Sequence, residues 1–200
     1  SLEIKCPQKL AIVGINGSGK STLIKLACGL LKPTKGRILV NGVDINEYDS
    51  QGYYDKMNAI FQDYSIFSFT VKDNICLNNF ESDRLTKALI DVGAYDRIVK
   101  LPNKENTFIN KWFDDQGVVF SSGELQKIAL ARSIYKESNF VILDEPTAAL
   151  DIQTEYDIYN NMDKMLADKM IFFVSHRLSG CVFCDNIIVI NNKKIEQQGN

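Results

Sequence analysis

Nothing in the chain constrains its fold more than Gly14-Ile15-Asn16-Gly17-Ser18-Gly19-Lys20-Ser21-Thr22. The run fits G-x-x-x-x-G-K-[ST]. It follows the apolar segment Leu10-Ala11-Ile12-Val13, and helix-forming residues come after it over 23–30. A strand, a loop and a helix in that order are the context this motif requires. A Gly-rich turn is the plainer reading, but such a turn makes no demand for Lys and Ser at these places. Glycines let the backbone wrap a phosphate without Cβ clashes. Loop amides and the helix N-terminus then turn positive dipole ends toward the anion. Asn16, Gly17, Ser18, Gly19, Lys20, Ser21 and Thr22 are therefore the expected nucleotide-binding residues. Lys20 is expected to reach the β- and γ-phosphates, and the Ser21 hydroxyl to ligate Mg²⁺.

The alternation around this motif indicates an α/β core. Strand signals recur over 37–40, 57–62, 140–143, 170–174 and 186–190. The pair Asn41-Gly42 is a hairpin turn signal, and a second hairpin is expected through Asn191-Asn192 to Lys194-Ile195. Between 70 and 135 helical periodicity dominates, over 71–77, 83–92, 95–100 and 122–135, broken by Pro102 and a polar stretch to Gly117. A further helix is expected over 152–165. The pattern is a nucleotide-binding α/β core interrupted by a helical insertion. The expected division is 1–62 for the first part of the core, 63–136 for the insertion and 137–200 for the rest.

Two hundred residues, 45% hydrophobic and 24% charged, are long and apolar enough for a real core. A net charge of −2 gives no general attraction to nucleic acid or anionic lipid. No apolar run reaches the roughly 18 residues of a membrane helix, and no signal peptide is visible. The chain opens without Met on the strand-like Leu2-Glu3-Ile4-Lys5, as a piece of something longer would. Five scattered cysteines suit a reducing cytosol. Cys181 and Cys184, without a second pair, read as neighbours one turn apart rather than a zinc site.

Phe140-Val141-Ile142-Leu143-Asp144-Glu145 is an apolar run ending in two carboxylates, as a buried parallel strand would be. Asp144 at its carboxyl end can face Mg²⁺, and Glu145 can hold a water in line with the γ-phosphate. Two solvated carboxylates at a strand end are the bland alternative, less apt in a chain with a phosphate loop. Ser121-Ser122-Gly123-Glu124 opens the helix over 122–135. Ser121 and Glu124 have the spacing of a capping box, and the same helix start is an anion site.

The run Phe120-Ser121-Ser122-Gly123-Glu124-Leu125-Gln126-Lys127-Ile128-Ala129-Leu130-Ala131-Arg132 resembles the signature motif of ABC ATPases, usually LSGGQ followed by a basic, Ala-rich helix. The resemblance covers the whole chain. Gln62 matches the Q-loop glutamine, and Asp144 and Glu145 the Walker B aspartate and catalytic glutamate. Ala148-Ala149-Leu150-Asp151 matches the D-loop, and His176, the single histidine, the H-loop histidine. The resemblance implies a RecA-like P-loop NTPase core with a small antiparallel β subdomain and a helical insertion carrying the signature. It implies ATP and Mg²⁺ as ligands, with Ser21, Asp144 and Gln62 around the metal. Glu145, His176, Lys20 and Gln62 would be catalytic.

The resemblance also implies an ATP-dependent homodimer, in which Ser121, Gly123 and Asp151 of one copy complete the site of the other. The segment 63–75 is similar to exporters whose membrane and ATPase parts share one polypeptide, and 107–117 stands in the place of the exporter X-loop. With Trp112-Phe113-Asp114-Asp115, that segment looks more like those of peptide and bacteriocin exporters. A membrane domain, in the same polypeptide or a partner subunit, and a place on the cytoplasmic side of the cell membrane follow; nucleic acid does not. An importer subunit, or a soluble ABC ATPase acting on ribosomes or DNA, remains the alternative. Ser122 replaces the first signature glycine and Glu124 the glutamine. An adenine-stacking aromatic normally precedes the P-loop by tens of residues, so weaker ATP affinity is expected of the chain as it stands.

Overall fold

The computed structural model describes residues 2–77, 79–166, 168–175 and 181–199, with the side chains of 164 and 165 left aside. It contains a six-stranded sheet in the order β4-β5-β6-β1-β7-β8. The strands are β1 (Gln8–Val13), β4 (Met57–Ile60), β5 (Phe140–Asp144), β6 (Met170–Val174), β7 (Asn186–Asn191) and β8 (Lys194–Gly199). β1 lies between β6 and β7 and is parallel to both, while β5 is parallel to β6. β7 and β8 form an antiparallel hairpin. The central strands carry near-continuous apolar runs because parallel strands are covered on both faces. Leu10, Ala11, Ile12, Val141, Ile142, Leu143, Phe173 and Val174 are all essentially without solvent contact. Each such large side chain contributes about 1.5–3 kcal/mol of burial free energy.

Two compact units are present. The first comprises 1–59, 138–145 and 166–200, and the second 60–137 and 146–165. The first holds nearly all of the sheet and α1 (Lys20–Ala27), whose Ile24, with neighbouring Cys28, is fully buried. It also holds a two-stranded antiparallel ribbon, β2 (Leu39–Val40) with β3 (Val43–Asp44). The turn between them is Asn41-Gly42, both with positive φ (50° and 82°), the backbone that a tight two-residue hairpin needs.

Two local expectations need correction, and one helix was not expected. Residues 2–5 form no strand; the alternation of Leu2 and Ile4 finds no pairing neighbour among the described residues. The second hairpin turns on Asn192 and Lys193, both with positive φ, one residue later than expected, because Asn191 still pairs with Lys194. The first unit has a second helix, α2 (Ser50–Asp55), started by the Asp49 carboxylate accepting the Gly52 N–H at 2.8 Å.

The second unit is helical: α3 (Val71–Cys76), α4 (Ser82–Asp91), α5 (Tyr95–Ile98), α6 (Ser122–Tyr135) and α7 (Ile152–Met165). α6 is its axis, packing on both α3 and α4. Its Ile128, Ala129, Leu130 and Ala131 are buried in succession. Arg132 and Asn74 fix the loop before α3. Arg132 Nε donates to Asn74 O at 2.6 Å and Nη1 to Ser65 O at 3.0 Å. The Asn74 amide, fully buried, exchanges bonds of 2.8 and 2.9 Å with the Phe67 backbone. No helix among the described residues is long and apolar enough to cross a membrane.

Candidate functional site

In the first unit β1 ends at Val13 and the chain loops directly into α1. Gly14 is held closely: a Cβ there would lie 2.2 Å from Ile190 O and 2.7 Å from Ser18 Oγ. Lys193, at the β7–β8 turn, donates its N–H to Ser18 O at 3.0 Å. The loop is thus pinned from beneath by the hairpin beside it. Ser18 is buried, its hydroxyl lies against Gly14, and it has no hydrogen-bond partner among the described residues. Gly19 is the N-cap of α1 in a left-handed conformation (φ 111°), and no side chain caps the helix. The first amides of α1 therefore have no intrahelical acceptor, and Ser21 and Thr22 beside them are exposed.

Lys20 is buried, and its ammonium donates to Gly14 O at 2.7 Å and Ile15 O at 3.0 Å. Burial lowers its pKa below the usual lysine value, and the Glu145 and Asp144 carboxylates oppose part of that shift. Asp144 is the last residue of β5, opposite Val174 of β6, and is buried. Glu145 then leaves the strand with positive φ (51°), although its N–H still donates to Val174 O at 2.9 Å. A glutamate in that region is strained by about 1–3 kcal/mol and persists only where its surroundings fix it. Lys20, Asp144 and Glu145 are brought together in one unit. The arrangement offers an uncapped helix end, a folded-back ammonium and two carboxylates. It can hold a phosphate chain and has donors for a cation.

The second unit gathers another group. Ser121 Oγ accepts the Glu124 N–H at 3.2 Å, and Glu124 Oε2 accepts the Ser121 N–H at 2.8 Å, the expected capping box. Gly123 lies against the loop before α7: a Cβ there would be 3.4 Å from Ala149 O. Gln126, one turn on and buried, accepts the Ala149 N–H at 2.8 Å. Asp151 caps α7, accepting Thr154 N–H at 3.0 Å and Thr154 Oγ1 at 2.7 Å. The Thr154 side-chain bond, with its backbone bond, holds the Asp151 carboxyl below the usual range. Thr147 Oγ1 donates to Glu155 at 3.1 Å and lies 2.6 Å from the Tyr159 hydroxyl, a buried triad under the same loop.

Gln62 stands exposed on the turn that follows β4, in the second unit. His176 lies outside the described residues. Sequence reasoning missed Gln126, Arg132, Asn74 and the Lys193 brace. Each acts through a partner distant in sequence, so no spacing signals it.

The sequence pattern of the ABC transporter family matches residues 1–148. The chain is 38% identical over 192 residues to the subtilin transport ATP-binding protein SpaT of Bacillus subtilis, covering 94% of this chain and 31% of that protein. It is 34% identical over 200 residues to an ATP-dependent lipid A-core flippase of Chromohalobacter salexigens, covering 99% and 34% respectively. The chain thus spans about a third of the length of the curated relatives it matches. A bacterial Atm1-family ABC exporter solved with ATP bound superposes with a TM-score of 0.91 at 30% identity, over 100% of this chain and 34% of that one. With its phosphate loop, its two strand-end carboxylates and its signature helix, the chain belongs to the ABC transporter family and is an ATP-binding ATPase domain of it.

Proposed function

We propose that this domain hydrolyses Mg·ATP to power export across a membrane. The observation that carries the reading is the Lys20 ammonium, buried on its own loop's carbonyls beside Asp144 and Glu145. An ammonium so placed has only to exchange two carbonyls for phosphate oxygens, and charge-assisted bonds are the stronger. The amides of 16–22 wrap the phosphates. Ser21 and Asp144 supply one hydroxyl and one carboxylate, a donor set that suits a hard cation completed by phosphate and water oxygens. Mg²⁺ held there would offset charge on the β- and γ-phosphates. By the family resemblance, Gln62 would contact the metal or the attacking water. Glu145 orients that water and takes its proton, Lys20 offsets charge developing on the γ-phosphate, and His176 steadies it.

The second half of each site comes from a second copy. Ser121 and the Gly123 amide bind the γ-phosphate, and Asp151 couples the two sites. The names of the relatives, a subtilin transporter and a lipid A-core flippase, favour export over import. A membrane-spanning part, in the same polypeptide or a partner subunit, would hold the domain at the cytoplasmic face.

Glu145→Gln and Lys20→Ala test the reading together. The first is expected to lower ATP turnover by about 10²–10⁴-fold while ATP binding is retained. The second is expected to lose binding itself. Turnover by E145Q at the wild-type rate would falsify the assignment of the base.

A further inference from the structure

Glu124 brings a carboxylate to the end of α6 at which the proposed γ-phosphate docks. The amides of Ser122 and Gly123, the first two helical positions, have no intrahelical acceptor and are the ones an anion would use. A negative side chain one residue further on competes for the same dipole. In this molecule the carboxylate is held twice, and away from those amides. Oε2 accepts the Ser121 N–H at 2.8 Å, and Oε1 accepts Arg97 Nε at 2.7 Å. Arg97 stands on α5, with its guanidinium 5.9 Å from the centre of the Phe120 ring. Lys127, on the same side of α6, is turned to another task and donates to Gly93 O at 3.1 Å. Burial alone would raise the Glu124 carboxyl, but the bonds from Ser121 and Arg97 outweigh it and hold it below the usual glutamate range.

We propose that Arg97 is a positioning residue for phosphate capture: its guanidinium cancels the Glu124 charge and keeps that carboxylate folded back on Ser121, so that the Ser122 and Gly123 amides can take the γ-phosphate of ATP. The proposal rests on the ATPase reading above. It names the device that makes a carboxylate tolerable inside a signature motif. Removing Arg97 leaves an uncompensated negative charge at the phosphate's approach. Removing the carboxylate as well makes Arg97 dispensable.

The test is steady-state ATPase kinetics of the chain and its variants. Arg97→Met keeps the side-chain length over Phe120 and loses the charge. It is expected to raise KM for ATP about tenfold with kcat changed less than about threefold, the scale of a close charge pair. In the E124Q background the same substitution is expected to cost less than about twofold. Arg97→Lys keeps the charge without the fork geometry and is expected to fall between. A purely structural role predicts the same loss in both backgrounds, and that result overturns the proposal, as does an R97M variant with wild-type KM. Should R97M not fold, the R97K pair of backgrounds makes the same comparison at smaller amplitude. Lys20→Ala separates the two levels. If wild type is no more active than K20A, the ATPase reading fails and this inference with it. If K20A is inactive and R97M harmless, the inference alone falls.

Discussion

Two helix starts among the described residues, those of α1 and α6, suit a phosphate, and they are finished in opposite ways. α1 begins at Gly19 with no side-chain cap and no acidic residue in its first turn. α6 begins at Ser121 with a complete capping box and Glu124 in its first turn. The orphan amides of α1 have no local substitute for an anion, and the Lys20 ammonium there is folded back onto loop carbonyls. Those of α6 are partly satisfied by its own side chains before any ligand arrives. The first end is therefore built to bind a phosphate on its own. The second stands as a finished helix without ligand and can only add to a hold made elsewhere. This asymmetry suits the proposed site assembled from two copies, in which one strong half would keep ATP and one weak half would join when ATP is present.

The comparison breaks most visibly at Gly14. A side chain at this position runs into the Ile190 carbonyl at 2.2 Å, and backbone cannot swing aside. Gly14→Ala is expected to destabilise the first unit by about 1–3 kcal/mol or more, the cost of overpacking. Urea unfolding with and without Mg·ATP measures it; the nucleotide-dependent gain in midpoint should shrink as well, because the loop itself has moved. An equally large loss of that gain on altering α6 alone would make the two ends equivalent and remove the distinction.

A smaller effect of opposite sign is expected at Ser18. Its hydroxyl is buried without a partner, and such a group costs about 1–3 kcal/mol. Ser18→Ala should therefore raise the stability of the ligand-free chain by about 1 kcal/mol, read as a higher urea midpoint, and leave ATP binding through the loop amides intact. Loss of ATP affinity in S18A would show that the hydroxyl itself reaches the phosphate, and the loop would then be less dependent on its backbone than its geometry indicates.

Much of this was legible in the sequence because the relevant signals are local. The capping box needs only residues 121 and 124, and the turn at Asn41-Gly42 only two residues that tolerate positive φ. The helices over 122–135 and 152–165 end where their periodicity ends. α2 was missed although its cap, Asp49, is visible, because six residues are too few to show a period. The contacts that tune the site were not legible at all. Gln126 to Ala149, Arg132 to Asn74 and Arg97 to Glu124 join residues 23, 58 and 27 positions apart. Only packing decides such pairs. The positive φ of Glu145 belongs to the same class, at a residue whose N–H is still held by Val174 O of the neighbouring strand.

The smallest predicted effect isolates what α6 gains from finishing itself. The folded Glu124 carboxyl lies below its unfolded value, so its contribution to stability is fully present above the ordinary glutamate pKa of about 4.3 and is lost as pH falls through the folded value. Asp151, also held low by its cap on α7, acts in the same acid window, so wild type alone cannot resolve the two. The difference between wild type and Glu124→Gln can, because Asp151 is common to both. That difference in urea midpoint should be constant from about pH 7 to pH 5 and then shrink toward pH 3, as the carboxyl takes up a proton and the Arg97 pair dissolves. α1 has no acid in its first turn and should contribute nothing to it. A difference that stays flat to pH 3 would mean that the carboxylate's charge does not hold α6, and the contrast between its start and that of α1 would rest on the Ser121 hydroxyl cap alone.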